Sequence, residues 1–400
     1  MYNENKLIKG DQNMLNFNFY SPTYFAFGKG KELDCGTLVK RFGGSKVLLH
    51  YGGGSIKRNG VYDNVVKSLK EADIEFVELG GVQPNPRSGL VYEGIELCRK
   101  ENVDFILAVG GGSTIDSAKA IAAGVPYEGD FWDYYAQDKT VDVALPVGTV
   151  LTIAAAGSEG SGDSVITHEE SNLKWSTTGD AIRPKFSVLN PEFTMTLPAY
   201  QTACGICDIM VHVCERYFTN TPDVTTTDYL CEAILQAMIE EGRKVIANPL
   251  DYEARANVMW AGMVAHNNIV GVGREQDWAS HVIEHELSAM YDCAHGAGLA
   301  VIMPSWMKYV YKQDIDRFAR FAKNVWHIEE ATKEESALKA IEATKNFFAE
   351  IGLPVTMDAL GAKREDVSYM VTQLEKIGGA GNFVKLTGDD IRTIYESAFE

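Results

Sequence analysis

The chain has 400 residues, of which 46% are hydrophobic and 23% charged, a composition that excludes wholesale disorder and fibrous architectures and leaves room for two or three globular domains. Its 55 acidic residues outnumber 37 basic ones, and the resulting net charge of −18 repels nucleic-acid phosphates and anionic membrane surfaces alike, so neither is expected as a partner. The uncharged stretches, such as Val143 to Ser158, hold prolines, glycines and hydroxyl residues and fall short of the ~20 apolar residues of a bilayer span.

In chain order, residues 1–14 are polar and mixed in charge, lack the features of a signal peptide and are expected to form a flexible extension. Phe17 to Phe27 alternates aromatic residues and is expected to add a strand or hairpin at a sheet edge. Strand-like runs then follow at Lys46–His50, Ile74–Leu79, Phe105–Val109 and Val143–Pro146. They alternate with helical patterns at Gly60–Ala72, Arg87–Asn102 and Thr114–Ala123. This alternation predicts βαβ units, and hence an α/β domain with a buried parallel sheet over residues 15–195.

Beyond Leu197 the strand signals give way to helical windows at Tyr200–Phe218, Thr225–Ala247, Tyr252–Asn267, Asp277–Met290, Ala297–Tyr311, Asp314–Val325, Glu334–Ile351 and Asp389–Phe399. They predict an all-helical domain over residues 196–400, with a ligand-binding cleft between the two domains. The seven cysteines form no framework, and a reducing, cytoplasmic compartment is the expectation. The C-x-x-C at Cys204 and Cys207 has no thioredoxin-like surroundings and reads as small buried helix residues.

Two loops place glycines directly after an apolar strand: Gly52-Gly53-Gly54-Ser55 and Gly110-Gly111-Gly112-Ser113. Unhindered backbone N–H groups and a helix N-terminus converge in the second, a geometry suited to a pyrophosphate. A plain strand-to-helix turn explains each loop equally well taken alone. A third small-residue segment starts at Gly148, read as a turn, and carries the hydroxyls of Thr149 and Thr152.

Asp208 and His212 lie four apart in one predicted helix, His281 and His285 in another, so each pair shares a helix face. His295 follows in a helix-breaking stretch that can turn a third imidazole to the same point. A carboxylate with imidazoles suits Fe²⁺ or Zn²⁺ and disfavours Ca²⁺ or Mg²⁺. The remaining histidines, His50, His168, His266 and His327, read as ordinary core or surface residues. His281-Val282-Ile283-Glu284-His285 also matches the inverted zinc-protease pattern, with Glu284 as general base, but that reading leaves Asp208, His212 and both glycine loops without a role.

Taken together these residues resemble the iron-containing (group III) alcohol dehydrogenases, and within them the butanol dehydrogenase and aldehyde reductase branch. The likeness rests on Gly110 to Ser113 with Asp116 and Lys119, Pro84-Asn85-Pro86, Thr149 and Thr152 before Gly157-Ser158-Glu159, Asp208-x-x-x-His212, His281-x-x-x-His285 and His295-Gly296. It implies a dehydroquinate synthase-like fold and a divalent metal, Fe²⁺ or Zn²⁺, held by Asp208, His212, His281 and His295. Spacing alone favours His285 over His295; the resemblance makes His285 a cleft residue. The nicotinamide cofactor is then expected on Gly52, Gly53, Gly54, Ser55, Asn85, Gly110, Gly111, Gly112, Ser113, Asp116, Thr149, Thr152 and Lys174.

The expected reaction is reversible hydride transfer between NAD(P)H and a small aldehyde or primary alcohol such as butyraldehyde and butanol. His285 is the candidate proton relay, and Trp278 a candidate wall of the substrate pocket. NADP(H) is favoured over NAD(H), because no acid follows Lys46 to His50 before Asp63, while Ser55, Lys57 and Arg58 suit a 2′-phosphate. A homodimer is expected through the aromatic edge segment. Two competing classes remain: a zinc hydrolase using Glu284, and a non-catalytic nucleotide-binding protein.

Overall fold

The computed structural model of the protein describes residues 14–137, 139–171 and 173–400. The expected N-terminal extension, Met14 apart, lies outside the described residues. Six strands form one all-parallel sheet in the order β1 (Tyr24–Phe27), β8 (Phe186–Leu189), β5 (Val147–Leu151), β4 (Phe105–Gly110), β2 (Lys46–Tyr51) and β3 (Glu75–Leu79). A parallel sheet needs crossover connections, and these place helices on both faces. Val47, Leu49 and Tyr51 of β2 pack with α1 (Cys35–Arg41), α2 (Ser55–Arg58) and α3 (Val61–Glu71). Leu48, on the opposite face, packs with α4 (Ser88–Glu101) and α5 (Gly112–Gly124). Burial on both faces explains why β4 reads as a continuous apolar run.

A short helix α6 (Asp133–Ala136) precedes β5, and β6 (Asp163–His168) pairs with β7 (Leu173–Thr178) as a separate antiparallel hairpin. The rest of the chain is helical: α7 (Ala199–Tyr217), α8 (Thr225–Ala247), α9 (Tyr252–His266), α10 (Ala279–Tyr291), α11 (His295–Val310), α12 (Ile315–Trp326), α13 (Lys333–Glu350), α14 (Met357–Leu360), α15 (Val367–Lys376) and α16 (Gly388–Ser397). Helix α7 is buried without a break from Thr202 to Tyr217, so its charged residues must find partners inside the protein. One hydrophobic core runs from the α5 face of the sheet through α7, α10 and α11.

Several expectations need correction. The strand expected at Val143–Pro146 begins at Val147 instead, because Pro146 has no N–H to donate and Val143 is exposed. The supposed turn at Gly148 is therefore the strand itself. Its glycine serves packing: a Cβ there would lie 2.5 Å from the Phe186 ring. Only Tyr24–Phe27 of the aromatic segment is a strand, although it does occupy the sheet edge. Strand β8, the β6–β7 hairpin and helices α1, α14 and α15 have no counterpart in the sequence reading, since short elements give too few turns of periodicity. Helix α10 starts at Ala279, leaving Trp278 outside it, and α11 starts at His295, two residues before the expected Ala297.

Candidate functional site

The chain passes from β2 to β3 on one side of it and from β3 back across to β4 on the other, so the strand order reverses between β2 and β4. Ligands of open α/β sheets bind at the carboxyl ends of the strands at such a switch point. Both glycine loops lie there. Gly52, Gly53 and Gly54 follow β2, and Gly110 ends β4 with Gly111 as the N-cap of α5. A Cβ on Gly110 would come 2.3 Å from Thr114 Oγ1, so that glycine is required by the turn. Gly53 is different: nothing lies within 4 Å of where its Cβ would stand. Ser55 opens α2, and Ser113 is the second residue of α5, beside these glycines.

The remaining residues expected around a cofactor separate into two groups. Thr152 follows β5, its N–H donating to Gly110 O at 2.9 Å. Lys174 donates to Asn85 Oδ1 at 3.0 Å and to Ser288 Oγ at 2.8 Å, while Asn85, in left-handed backbone, donates to Asp292 Oδ1 at 3.3 Å. These bonds tie the 84–86 turn and the hairpin to α10. Thr149 and Asp116 have partners inside the fold. The Thr149 hydroxyl donates to Ser187 Oγ at 2.8 Å, and Asp116 accepts from Ser158 Oγ at 2.6 Å and Val165 N at 3.0 Å. Lys119, fully buried, donates to the carbonyls of Ser158, Ser161 and Asp163, locking α5 to β6.

Across the cleft, α7, α10 and α11 bring Asp208, His281 and His295 together, with one ligand atom from each within 4.8 Å of the others. His212, one turn after Asp208, places Nδ1 3.3 Å from Asp208 Oδ1, and its ring lies 4.6 Å from that of His281. Asp208 Oδ1, His212 Nδ1 and His281 Nε2 are all buried and make no hydrogen bond. Three orphaned N and O atoms converging on one point are costly unless a cation satisfies them, and this donor set fits Fe²⁺ or Zn²⁺. Burial disfavours a charge on His281, yet the carboxylates of Asp208 and Glu215 outweigh it and raise its pKa to about 9. Burial, with His266 and His281 nearby, holds His212 well below its ordinary pKa and keeps it neutral.

His285 does not join Asp208. It groups with Glu284 and His295, its ring 5.6 Å from the His295 ring, and burial with Lys174 nearby holds its pKa well below the usual range. Trp278 caps α10 in left-handed backbone, φ 66°, rare for a bulky residue. This conformation sets its ring 5.1 Å from His281 and 5.9 Å from His212, with the Arg216 guanidinium 4.6 Å from the ring. Glu284 is fully buried and meets His295 Nδ1 through Oε2, behind the imidazole whose Nε2 lies on the Asp208 side.

Sequence reasoning missed three neighbours. His266, taken for an ordinary residue, sets its ring 4.2 Å from that of His212 at a tilt of 44° and pairs with Asp163 at 3.1 Å. It stands at the end of α9, with no spacing to link it to the other histidines. Glu215 follows Asp208 by seven residues, two helical turns, which was a readable signal. Glu78 of β3 accepts from the Tyr51 and Tyr62 hydroxyls at 2.8 and 2.6 Å and lies 3.8 Å from Lys57, an acid beside the first glycine loop that only strand pairing brings there.

Comparison with known proteins agrees with this geometry. Residues 22–191 match the iron-containing alcohol dehydrogenase family and residues 202–399 the Fe-containing alcohol dehydrogenase family, C-terminal. The chain belongs to the iron-containing alcohol dehydrogenases. It is 42% identical to NADH-dependent butanol dehydrogenase A of Clostridium acetobutylicum over 96% of this chain and 100% of that one. It is 37% identical to the NADPH-dependent aldehyde reductase YqhD of Escherichia coli, with 96% and 100% covered. Its structure superposes on the crystal structure of NADH-dependent butanol dehydrogenase A from Thermotoga maritima with a TM-score of 0.94, 42% identity, and 98% and 100% of the two chains covered. The family fold, a parallel-sheet half followed by a helical half, is the one described above.

Proposed function

We propose that this enzyme reduces a small aldehyde to a primary alcohol, and runs the reverse oxidation, with a nicotinamide cofactor and a divalent metal. The observation that carries the reading is the convergence of orphaned Asp208, His212 and His281 atoms, with His295, in a chain whose sheet also presents two glycine loops at its switch point. Asp208, His212, His281 and His295 hold the cation, residues 15–195 act as the dinucleotide-binding domain and residues 196–400 as the metal-binding one. When bound, the cation supplies Lewis acidity towards the carbonyl oxygen and the nicotinamide supplies the hydride.

The chain's own residues do the rest. The backbone N–H groups of Gly52 to Ser55 and Gly110 to Ser113 bind the cofactor phosphates, and Thr152 flanks them. Asn85 and Lys174 hold the far side of the cleft against α10. His285, neutral and beside His295, relays a proton, taking one up at one ring nitrogen as it releases one from the other to the alkoxide oxygen, and Trp278 walls the pocket and excludes water. The relatives named butanol dehydrogenase and aldehyde reductase support a short unbranched substrate such as butyraldehyde. All seven cysteines are free, which fits a reducing, cytoplasmic setting, and the exposed edge of β1 fits pairing into a homodimer. No helix among the described residues is long and apolar enough to cross a membrane. Consumption of NADPH or NADH by the metal-loaded protein with butyraldehyde tests the proposal; no consumption with either cofactor contradicts it.

A further inference from the structure

The two imidazoles that face Asp208 from α10 and α11 are each held from behind by a glutamate that is fully buried. Glu215, on α7, accepts through Oε1 from the His281 backbone N–H at 3.0 Å and from His281 Nδ1 at 3.1 Å. Glu284, on α10, makes the corresponding contact with His295 Nδ1 through Oε2. In both residues the second oxygen, Glu215 Oε2 and Glu284 Oε1, is buried without a hydrogen-bond partner. Helix α11 is shaped around the second of these, since a Cβ on Gly298 would stand 2.5 Å from Glu284 Oε1.

A neutral amide would accept the same imidazole N–H at a much smaller desolvation cost, so the carboxylates need an explanation beyond hydrogen bonding. We infer that Glu215 and Glu284 are positioning residues of the metal centre. Each accepts the Nδ1–H of its histidine, fixes the tautomer that turns the Nε2 lone pair towards Asp208, and supplies negative charge that a divalent cation balances. Carboxylates behind metal-bound histidines raise ligand basicity in this way, and losing one typically weakens metal binding about 10–100-fold. With Asp208 the centre gathers three carboxylates from two helices, α7 and α10. Glu284 thereby has a role that the H-x-x-E-H pattern alone would assign to a general base. The inference rests on reading Asp208, His212, His281 and His295 as the ligands.

The test uses the full-length protein with Glu284→Gln and Glu215→Gln, which keep the volume and a carbonyl acceptor and replace the charged second oxygen with a neutral NH2. Zn²⁺ affinity is measured by competition with a chromophoric chelator, and the melting temperature is taken with and without Zn²⁺. Each variant is expected to bind Zn²⁺ about 10–100-fold more weakly, while its metal-free form melts at or above the metal-free wild type, because a buried, half-satisfied carboxylate has gone. Gly298→Ala, which displaces Glu284 without changing charge, is expected to weaken Zn²⁺ binding in the same direction and serves if Glu284→Gln does not fold. Unchanged Zn²⁺ affinity in either Gln variant, or a fall in metal-free melting temperature without loss of affinity, overturns the inference alone. A wild-type protein that binds no stoichiometric Zn²⁺ overturns the ligand reading and this inference with it.

Discussion

His295 and His285 are the residues whose roles separate the two ways of reading the chain. The four-residue spacing from His281 favours His285, but the structure places His295 with Asp208 and His281 and leaves His285 outside that group. Replacing His295 with Ala is therefore expected to abolish stoichiometric metal, whereas His285→Ala retains the metal and loses turnover. Metal analysis of the purified variants checks this; full metal content in His295→Ala with loss in His285→Ala would reverse the assignment. Cofactor choice also belongs to this scale. Ser55 and Lys57 favour a 2′-phosphate, and kcat/KM is expected to be higher with NADPH than with NADH. Glu78, 3.8 Å from Lys57, works in the opposite direction, and a clear preference for NADH would show that its carboxylate prevails. The acidic partner was invisible along the chain because it arrives from β3, across a strand pair.

At the scale of elements, the glycine loops pose a question that their sequence leaves open. Gly110 and Gly148 are explained by contacts their Cβ atoms would violate, so substituting either disturbs packing and cannot isolate a role in binding. Gly53 has open space where its Cβ would stand and no left-handed backbone, so the fold does not require it. Gly53→Val is expected to leave stability within about 0.5 kcal/mol of wild type and to raise the KM for the nicotinamide cofactor at least several-fold, since the backbone can no longer approach the phosphates closely. Thermal melts and cofactor titration at fixed aldehyde read the two effects separately; an unchanged KM would make this loop a plain turn. The same elements show what a single sequence conveys. The long helices α7 to α13 and strands β2 and β4 stood out because their apolar patterns repeat over many residues. The β6–β7 hairpin and β8 did not, because their burial comes from neighbours that the sequence does not name. Trp278 was read as helical for the same reason: its left-handed backbone depends on the packing of Arg216, His212 and His281 around the ring.

For the whole molecule, the sheet ends on one side at β1, only Tyr24–Phe27 long and paired solely with β8 among the described strands. Phe25 and Phe27 pack edge-on against Trp260, itself 46% exposed, and Tyr24 is 43% exposed beside them. An unpaired edge flanked by exposed aromatics is expected to be covered by a second copy across a two-fold axis. Light scattering at micromolar concentration is expected to give twice the mass of one chain; the mass of a single chain would contradict it. The two halves of the molecule have distinct tasks in this account. The sheet presents backbone N–H groups at its switch point, and the helical half gathers carboxylate and imidazole groups on three buried helices. Neither half is expected to support turnover alone. The check is to strip the protein with a chelator and follow loss of nicotinamide absorbance with butyraldehyde as Fe²⁺ or Zn²⁺ is restored. No turnover is expected in the stripped protein, with recovery that saturates near one metal ion per chain; turnover that is equal with and without the metal would contradict this dependence.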